Sequence, residues 1–292
     1  MLGPTASGKT EMAIRLAQHL GAEIISVDSM QVYKGMDIGT AKPTVLERQG
    51  VVHHLIDVAD PAEEFTVARF RRLGRRVLEQ TDAPAVVITG GSGLHFRALV
   101  DPLSFAPTDP DVRADLEGAD PELLVTELLE ADPEAGAHVD MANPRRVIRA
   151  VEIYRLTGET PSARAVSAAA EDVRRYVPEV GFEAVGIDPG EELDDRIDVR
   201  LRQMRASGLV DEVRSLAPRM GRTARSAVGY REVLAALEGE LSMDEAFEQA
   251  AANTKKLARK QRTWFQRDPR IRWVPWIDDH EQRLTRILET FD

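Results

Sequence analysis

Apolar positions recur along the chain at two spacings, and their alternation predicts the architecture. In residues 11–20, Met12, Ile14, Leu16, Ala17 and Leu20 share one helical face, and Gly21 stops the helix. Residues 22–27 read as a short strand, so the order is helix then strand, half of a doubly wound α/β unit. Residues 53–57 resemble a second strand, and residues 67–80 a helix whose Arg69, Arg71, Arg72, Arg75 and Arg76 fall mostly on its solvated side. Ala85-Val86-Val87-Ile88-Thr89, apolar and β-branched almost throughout, is the clearest buried strand and leads through a glycine turn into a helix ending near Val100. From Asp109 to about Tyr176 strand texture vanishes, and helical segments follow one another between prolines. Strand texture returns at residues 182–187 and 271–274, both expected to rejoin the first sheet. Helices are predicted between them at residues 191–207, 209–217, 230–238 and 243–267.

This pattern divides the chain into an α/β core of residues 1–112 and 182–292 with a mostly helical insertion at residues 113–181. Composition narrows the class further. The 292 residues carry 43% hydrophobic and 30% charged side chains, with no apolar run approaching the ~18 residues of a membrane span. No charged-then-apolar leader opens the chain, so a cytoplasmic protein, unassociated with membranes and monomeric, is expected. Without a cysteine, disulfides, thiolate zinc sites and thiol nucleophiles are excluded, and any metal must sit on oxygen or imidazole ligands.

A net charge of −11 argues against indiscriminate nucleic-acid binding, but its distribution matters more than its sum. Acids crowd residues 109–140, whereas Lys255, Lys256, Arg259, Lys260, Arg262, Arg267, Arg270 and Arg272 face the single acid Asp268 between residues 255 and 272. A local basic face can coexist with an acidic chain.

The candidate chemistry begins at Gly3-Pro4-Thr5-Ala6-Ser7-Gly8-Lys9-Thr10, which reads G-x-x-x-x-G-K-T and runs into the first helix. Glycines let backbone N–H groups converge on a phosphate, and the helix adds the positive end of its dipole. Lys9 brings a point charge and Thr10 a hydroxyl suited to Mg²⁺, so a P-loop NTPase-like core is expected. Only Met1 and Leu2 precede Gly3, too few for a strand of the usual ~5 residues. The strand presenting the cradle is therefore expected to be almost absent, and the site weaker than the motif promises.

Ligands of open α/β sheets bind outside the carboxyl ends of strands, where Asp28 stands. Asp28 reads either as a helix cap or, beside a phosphate site, as a Mg²⁺ ligand or general base. His53 and His54 point to opposite faces of a strand and cannot chelate one ion easily, so structural roles are expected for both; Asp57 reads as a carboxylate behind a Mg²⁺ site. Gly90-Gly91-Ser92-Gly93 allows close backbone approach and supplies the Ser92 hydroxyl, or is simply a tight strand-to-helix turn. Asn143-Pro144 opens a helix bearing Arg145, Arg146 and Arg149, a set suited to phosphate contacts or to an exposed ion-paired face. Arg113, just beyond Pro110, is expected to reach back toward the phosphates. Taken together these features indicate transfer chemistry on a phosphorylated substrate, with a small-molecule or nucleotide kinase as the generic outcome. A non-enzymatic RNA-binding module with a vestigial loop is the alternative reading.

The motifs at residues 3–10, 28–43, 53–57, 90–94, 143–149, 228–232 and 260–264 resemble, in order and spacing, those of bacterial tRNA dimethylallyltransferases, also called tRNA isopentenyltransferases. The resemblance spans nearly the whole chain, and the run of residues 28–43 is far more specific than the cradle alone. It implies that residues 3–10 hold the diphosphate of dimethylallyl diphosphate with Mg²⁺ on Thr10. Transfer is then to N6 of the adenosine 3′ of the tRNA anticodon, with Asp28 as general base and Lys9, Thr10 and Arg113 acting on the leaving group. The resemblance further implies tRNA contacts from Asp28, Ser29, Met30, Gln31, Ser92, Arg113, Arg145, Arg146, Arg149, Gly229, Tyr230, Arg231, Lys260, Gln261 and Trp264. Two positions depart from the family pattern: Ser92 replaces a usual Thr, keeping the hydroxyl, and His95 stands where Tyr is usual.

Overall fold

The structure, a computed structural model, describes residues 1–291. The chain divides into two compact units, one formed by residues 1–99 and 181–292 and the other by residues 100–180.

The first unit begins with helix α1 (Lys9–Leu20) and strands β1 (Glu23–Ser26) and β2 (His53–His54), followed by α2 (Val67–Gln80), β3 (Val86–Thr89) and α3 (Gly93–Val100). β1 lies between β2 and β3 and runs parallel to both, with Ile24 opposite His53 and Val87. The expected second strand is shorter than its sequence pattern. Leu55 and Asp57 adopt positive φ (61° and 57°), so the chain leaves the sheet after His54.

The second unit holds α4 (Pro110–Glu117), α5 (Pro121–Ala131), α6 (Pro144–Thr157), α7 (Pro161–Ala165) and α8 (Ala168–Arg174), with no strand among its described residues. Every one of these helices except α8 opens on proline, whose missing N–H is one the first helical turn leaves unpaired anyway. Leu116, Leu124, Leu128, Val147 and Val151 form its core.

The first unit resumes with β4 (Ala184–Ile187), α9 (Leu193–Ala206), α10 (Leu209–Leu216), α11 (Arg222–Arg225), α12 (Tyr230–Leu237), α13 (Met243–Gln266), β5 (Ile271–Val274) and α14 (His280–Glu289). β4 and β5 pair with each other, in parallel, and not directly with the first sheet. A single residue makes the connection: Leu2 bridges in parallel to both Gly90 and Gly186. Its N–H donates to Val185 O (2.9 Å), its carbonyl accepts from Ile187 N (2.9 Å), and the Met1 nitrogen donates to Ile88 O (2.6 Å). The two-residue segment before Gly3 thus occupies the strand position between β3 and β4.

The α1 face read from the sequence packs here. Met12, Ile14, Leu16 and Ala17 are buried with Ile24, Val87, Val185, Ile187 and Val274, and burying each large side chain contributes about 1.5–3 kcal/mol. Leu20, assigned to the same face, is exposed at the helix end. This core seats α1 behind the sheet and places its N-terminus at the strands' carboxyl ends.

Candidate active site

The glycine cradle closes tightly against the sheet. A Cβ on Gly3 would lie 2.2 Å from Ile187 O, so no other residue fits without displacing β4. Gly8 takes a left-handed conformation (φ 77°) and hands the chain to α1, which has no side-chain cap; its first N–H groups stay available to an anion. Lys9 Nζ donates to Pro4 O (3.0 Å) across the loop. Its ammonium is buried beside the Arg200 guanidinium; the burial chiefly, then Arg200, lowers its pKa to about 8, against an upward pull from Asp28.

Two arginines that sequence reading missed complete the cradle. Arg196 Nε donates to Ala6 O (2.9 Å), and Arg200 Nη1 donates to Thr5 Oγ1 (3.2 Å). Both sit on α9, each one residue before a member of its buried stripe, Ile197 and Leu201. In the sequence these two arginines alternate with acids along the helix. The usable signal was the i, i+4 spacing of two cations along the edge of an apolar stripe. Burial lowers the Arg200 pKa while the Asp28 carboxylate, on the wall of the same cavity, raises it.

Asp28 follows β1, and its Oδ1 accepts from Met30 N (2.8 Å) and Gln31 N (3.2 Å). The capping role and the cavity-facing role therefore coexist, since these bonds engage one carboxylate oxygen. The following residues fold back through Gln31, whose Nε2 donates to Thr40 O and Ala41 O while its Oε1 accepts from Ser26 Oγ (2.9 Å). Lys42, almost completely buried, binds Tyr33 O (2.7 Å), Asp37 Oδ1 and Asp57 Oδ1 (both 2.6 Å). Asp57 serves that ion pair. His53 and His54 have separate partners, Val51 O (2.9 Å) and Glu23 Oε2 (2.8 Å). Glu212 accepts from the backbone N–H groups of Asp37, Ile38 and Gly39 (3.0, 2.7 and 3.1 Å) and from Tyr230 Oη (2.5 Å). Tyr230 is thereby a fully buried strut, its pKa raised by burial and by that carboxylate.

The second glycine turn meets α13. A Cβ on Gly93 would lie 2.0 Å from the Trp264 ring. Gln261 touches both turns: its Oε1 accepts from Thr5 N (2.8 Å), and its amide packs on Gly91. Ser92 Oγ lies 2.7 Å from His95 Nδ1, and the His95 ring meets Phe70 edge-on with centroids 4.6 Å apart. Burial lowers the His95 pKa to about 4, against an upward pull from Asp28, so the imidazole is neutral near pH 7.

These groups line one cavity of ≈ 1370 Å³ within the first unit, shared by Lys9, Thr10, Asp28, Ser92, Arg196 and Arg200. Ser29, Met30, Gln31, Gly229, Tyr230, Lys260, Gln261 and Trp264 join its wall. Thr89 lines it too, with a buried hydroxyl lacking a hydrogen-bond partner. Arg231 instead lines a separate groove with Arg222 and Arg225, and its guanidinium pairs with Glu232 (2.5 Å). Arg113, Arg145, Arg146 and Arg149 belong to the second unit. There Glu152, fully buried, binds Arg113 (2.8 Å) and Arg149 (2.6 Å), and Arg149 also donates to Ala106 O and Pro107 O. Arg145 is exposed, and Arg146 makes a loose surface pair with Asp140 (3.5 Å).

Residues 31–268 match the family model described as IPP transferase. A protein of Bifidobacterium longum named tRNA dimethylallyltransferase is 44% identical, with 94% of this chain and 85% of that protein covered. One of the same name from Kineococcus radiotolerans is 44% identical, covering 99% and 94%. Among solved structures, the tRNA isopentenylpyrophosphate transferase of Bacillus halodurans superposes with a TM-score of 0.72 at 35% identity, covering 99% of this chain and 93% of that one. A eukaryotic dimethylallyltransferase acting on tRNA shares the fold at TM-score 0.79 and 24% identity. On the family-model match and these identities, the chain belongs to the IPP transferase family of transferase enzymes.

Proposed function

We propose that the protein transfers a dimethylallyl group from dimethylallyl diphosphate to N6 of the adenosine 3′ of a tRNA anticodon. The observation that carries this reading is the convergence of a P-loop-like phosphate cradle, a carboxylate and a second glycine turn on one cavity, in a chain of this family. The cavity exceeds the ~1,000 Å³ upper range of small-molecule pockets, which favours a donor and a nucleotide together over a single metabolite.

Three demands of the reaction match the residues. As the allylic C–O bond breaks, its electron pair passes to the diphosphate. The N–H groups of the cradle, Lys9 and Arg200 stabilise that charge where it develops. The C–N bond forms from an aromatic amine whose lone pair is delocalised, and Asp28 takes the amine proton; the cap on Oδ1 leaves Oδ2 for it. The adenine must leave its stack, at a cost of a few kcal/mol, and the cavity wall contributed by α13 offers Trp264, Gln261 and Lys260 to hold it.

Thr10 is the protein oxygen offered to Mg²⁺. Its hydroxyl, on the cavity wall beside Lys9, would hold the ion next to the diphosphate. Bound there, Mg²⁺ neutralises charge on the leaving group. In the second unit, Arg145 and Arg146 are offered to RNA phosphates, whereas Arg113 and Arg149 hold α4, α6 and residues 106–107 together around Glu152. The enzyme acts as a cytoplasmic monomer in this reading. Among the described residues no helix is long and apolar enough to cross a membrane.

A competition titration tests the donor. Dimethylallyl diphosphate should displace a labelled diphosphate analogue at concentrations where ATP does not. Tight ATP binding untouched by dimethylallyl diphosphate would favour a kinase instead.

A further inference from the structure

We infer that His95 is a positioning residue that aims the Ser92 hydroxyl at the acceptor amine, in the Nε2–H tautomer. The inference rests on the prenyl-transfer reading above. An exocyclic amine carries two N–H donors. Asp28 can take only one of them, and the other needs an acceptor on the cavity wall. Ser92 lines the same cavity as Asp28, with its N–H donating to Val27 O (3.1 Å), but a serine hydroxyl is also a donor and rotates freely unless its proton is engaged. If the proton pointed into the cavity it would meet the amine hydrogen head-on.

The structure supplies the group that removes this conflict. His95 Nδ1 lies 2.7 Å from Ser92 Oγ, one helical turn along α3, and His95 itself does not line the cavity. A bare Nδ1 accepts the hydroxyl proton and leaves the oxygen lone pairs facing the cavity. That requires a neutral imidazole with its proton on Nε2. Burial against Phe70 keeps the ring neutral and fixes its plane through the edge-on contact. The Asp28 carboxylate bears on His95 as well as on Lys9 and Arg200, so base, hydroxyl and imidazole belong to one electrostatic neighbourhood.

Asparagine at position 95 places a carbonyl oxygen near the site of Nδ1, whereas phenylalanine keeps the ring and removes the acceptor. His95→Phe should lower kcat about tenfold, the worth of one misdirected hydrogen bond, with the KM for dimethylallyl diphosphate unchanged. His95→Asn should recover most of that loss. Ser92→Ala should cost about as much as His95→Phe, and the double variant no more than either alone, because both remove one interaction. Parental kcat in His95→Phe, or losses that multiply in the double variant, would overturn the inference. A rise in both KM values together with a fall in thermal midpoint would assign His95 to packing alone and overturn it too. Independently of activity and of variant folding, ¹⁵N shifts of the parent imidazole should report the Nε2–H tautomer near pH 7, and an Nδ1–H tautomer would refute the assignment. A parent enzyme with that tautomer but no prenyl transfer would instead count against the functional reading.

Discussion

Lys9 is a cation that its own environment makes easy to discharge, and under the proposed function this predicts a definite pH dependence of diphosphate binding. Burial and the Arg200 charge together outweigh Asp28 and bring its pKa to about 8 in the empty cradle. A dianionic or more highly charged ligand favours the ammonium form, so binding raises that pKa and takes up a proton wherever Lys9 starts neutral. The sign follows directly. Below about pH 7 the lysine is already charged and affinity is flat; above about pH 8 each binding event must first protonate it, and affinity falls. Between about pH 7 and about pH 9 the charged fraction drops from roughly nine-tenths to one-tenth, so the apparent Kd should rise about tenfold if the ammonium form alone binds, or about 1.4 kcal/mol. The ligand adds no opposing trend, because the last ionisation of such a phosphoryl group lies near a pKa of about 6. Calorimetric titration with dimethylallyl diphosphate at fixed ionic strength and Mg²⁺ measures this, and the heat at about pH 9 should depend on the ionisation enthalpy of the buffer. Lys9→Met should bind more weakly at every pH and lose the slope. A parent Kd independent of pH across this window, or a slope that survives in Lys9→Met, would show that Lys9 does not set the pH dependence of binding.

Four further variants have outcomes fixed by their surroundings. Asp28→Asn keeps an oxygen to accept from Met30 N and Gln31 N but loses the proton acceptor, so kcat should fall about 10²–10⁴-fold with tRNA affinity little changed in a filter-binding assay. Gly93→Ala forces a methyl into the Trp264 ring, and overpacking of this kind should cost about 1–3 kcal/mol in denaturant unfolding and weaken tRNA binding through α13. Arg149→Ala leaves the buried Glu152 with Arg113 as its ion-pair partner and should destabilise the second unit by about 1–3 kcal/mol, whereas Arg145→Ala should leave stability unchanged and reduce the salt slope of tRNA binding by about one.

The parts of the site that were legible in the sequence are those in which a short stretch carries its own physical reason. The cradle needs glycine at Gly3 because β4 passes against it, and the α1 periodicity matches its buried face. Asp28 ends a strand, and the carboxyl ends of strands are where such sheets bind ligands. The parts that were not legible depend on what lies opposite. Tyr230 and Arg231 are adjacent in the sequence, yet the tyrosine is fully buried with its hydroxyl donating to Glu212, eighteen residues earlier, whereas Arg231 lines a separate groove. Arg149 reads as a phosphate ligand until Glu152 and the Ala106 and Pro107 carbonyls absorb its donors. Arg196 and Arg200 sit in a run of alternating charge, and only the approach of α9 to the cradle separates them from solvated neighbours. Four-residue strands carry no register in their pattern, which is why β4 and β5 were expected to rejoin the first sheet directly and are joined to it through Leu2 instead.

In the proposed function the cradle holds a leaving group while Asp28 deprotonates an RNA amine in the same cavity. The decisive measurement is incubation of the protein with dimethylallyl diphosphate labelled in its prenyl carbons, Mg²⁺ and tRNA bearing adenosine 3′ of the anticodon. Label should appear on N6 of that adenosine, with one equivalent of diphosphate released per group transferred, and Asp28→Asn should form both products about 10²–10⁴-fold more slowly. Phosphoryl transfer from ATP to a small molecule, with the tRNA left unlabelled, would contradict it.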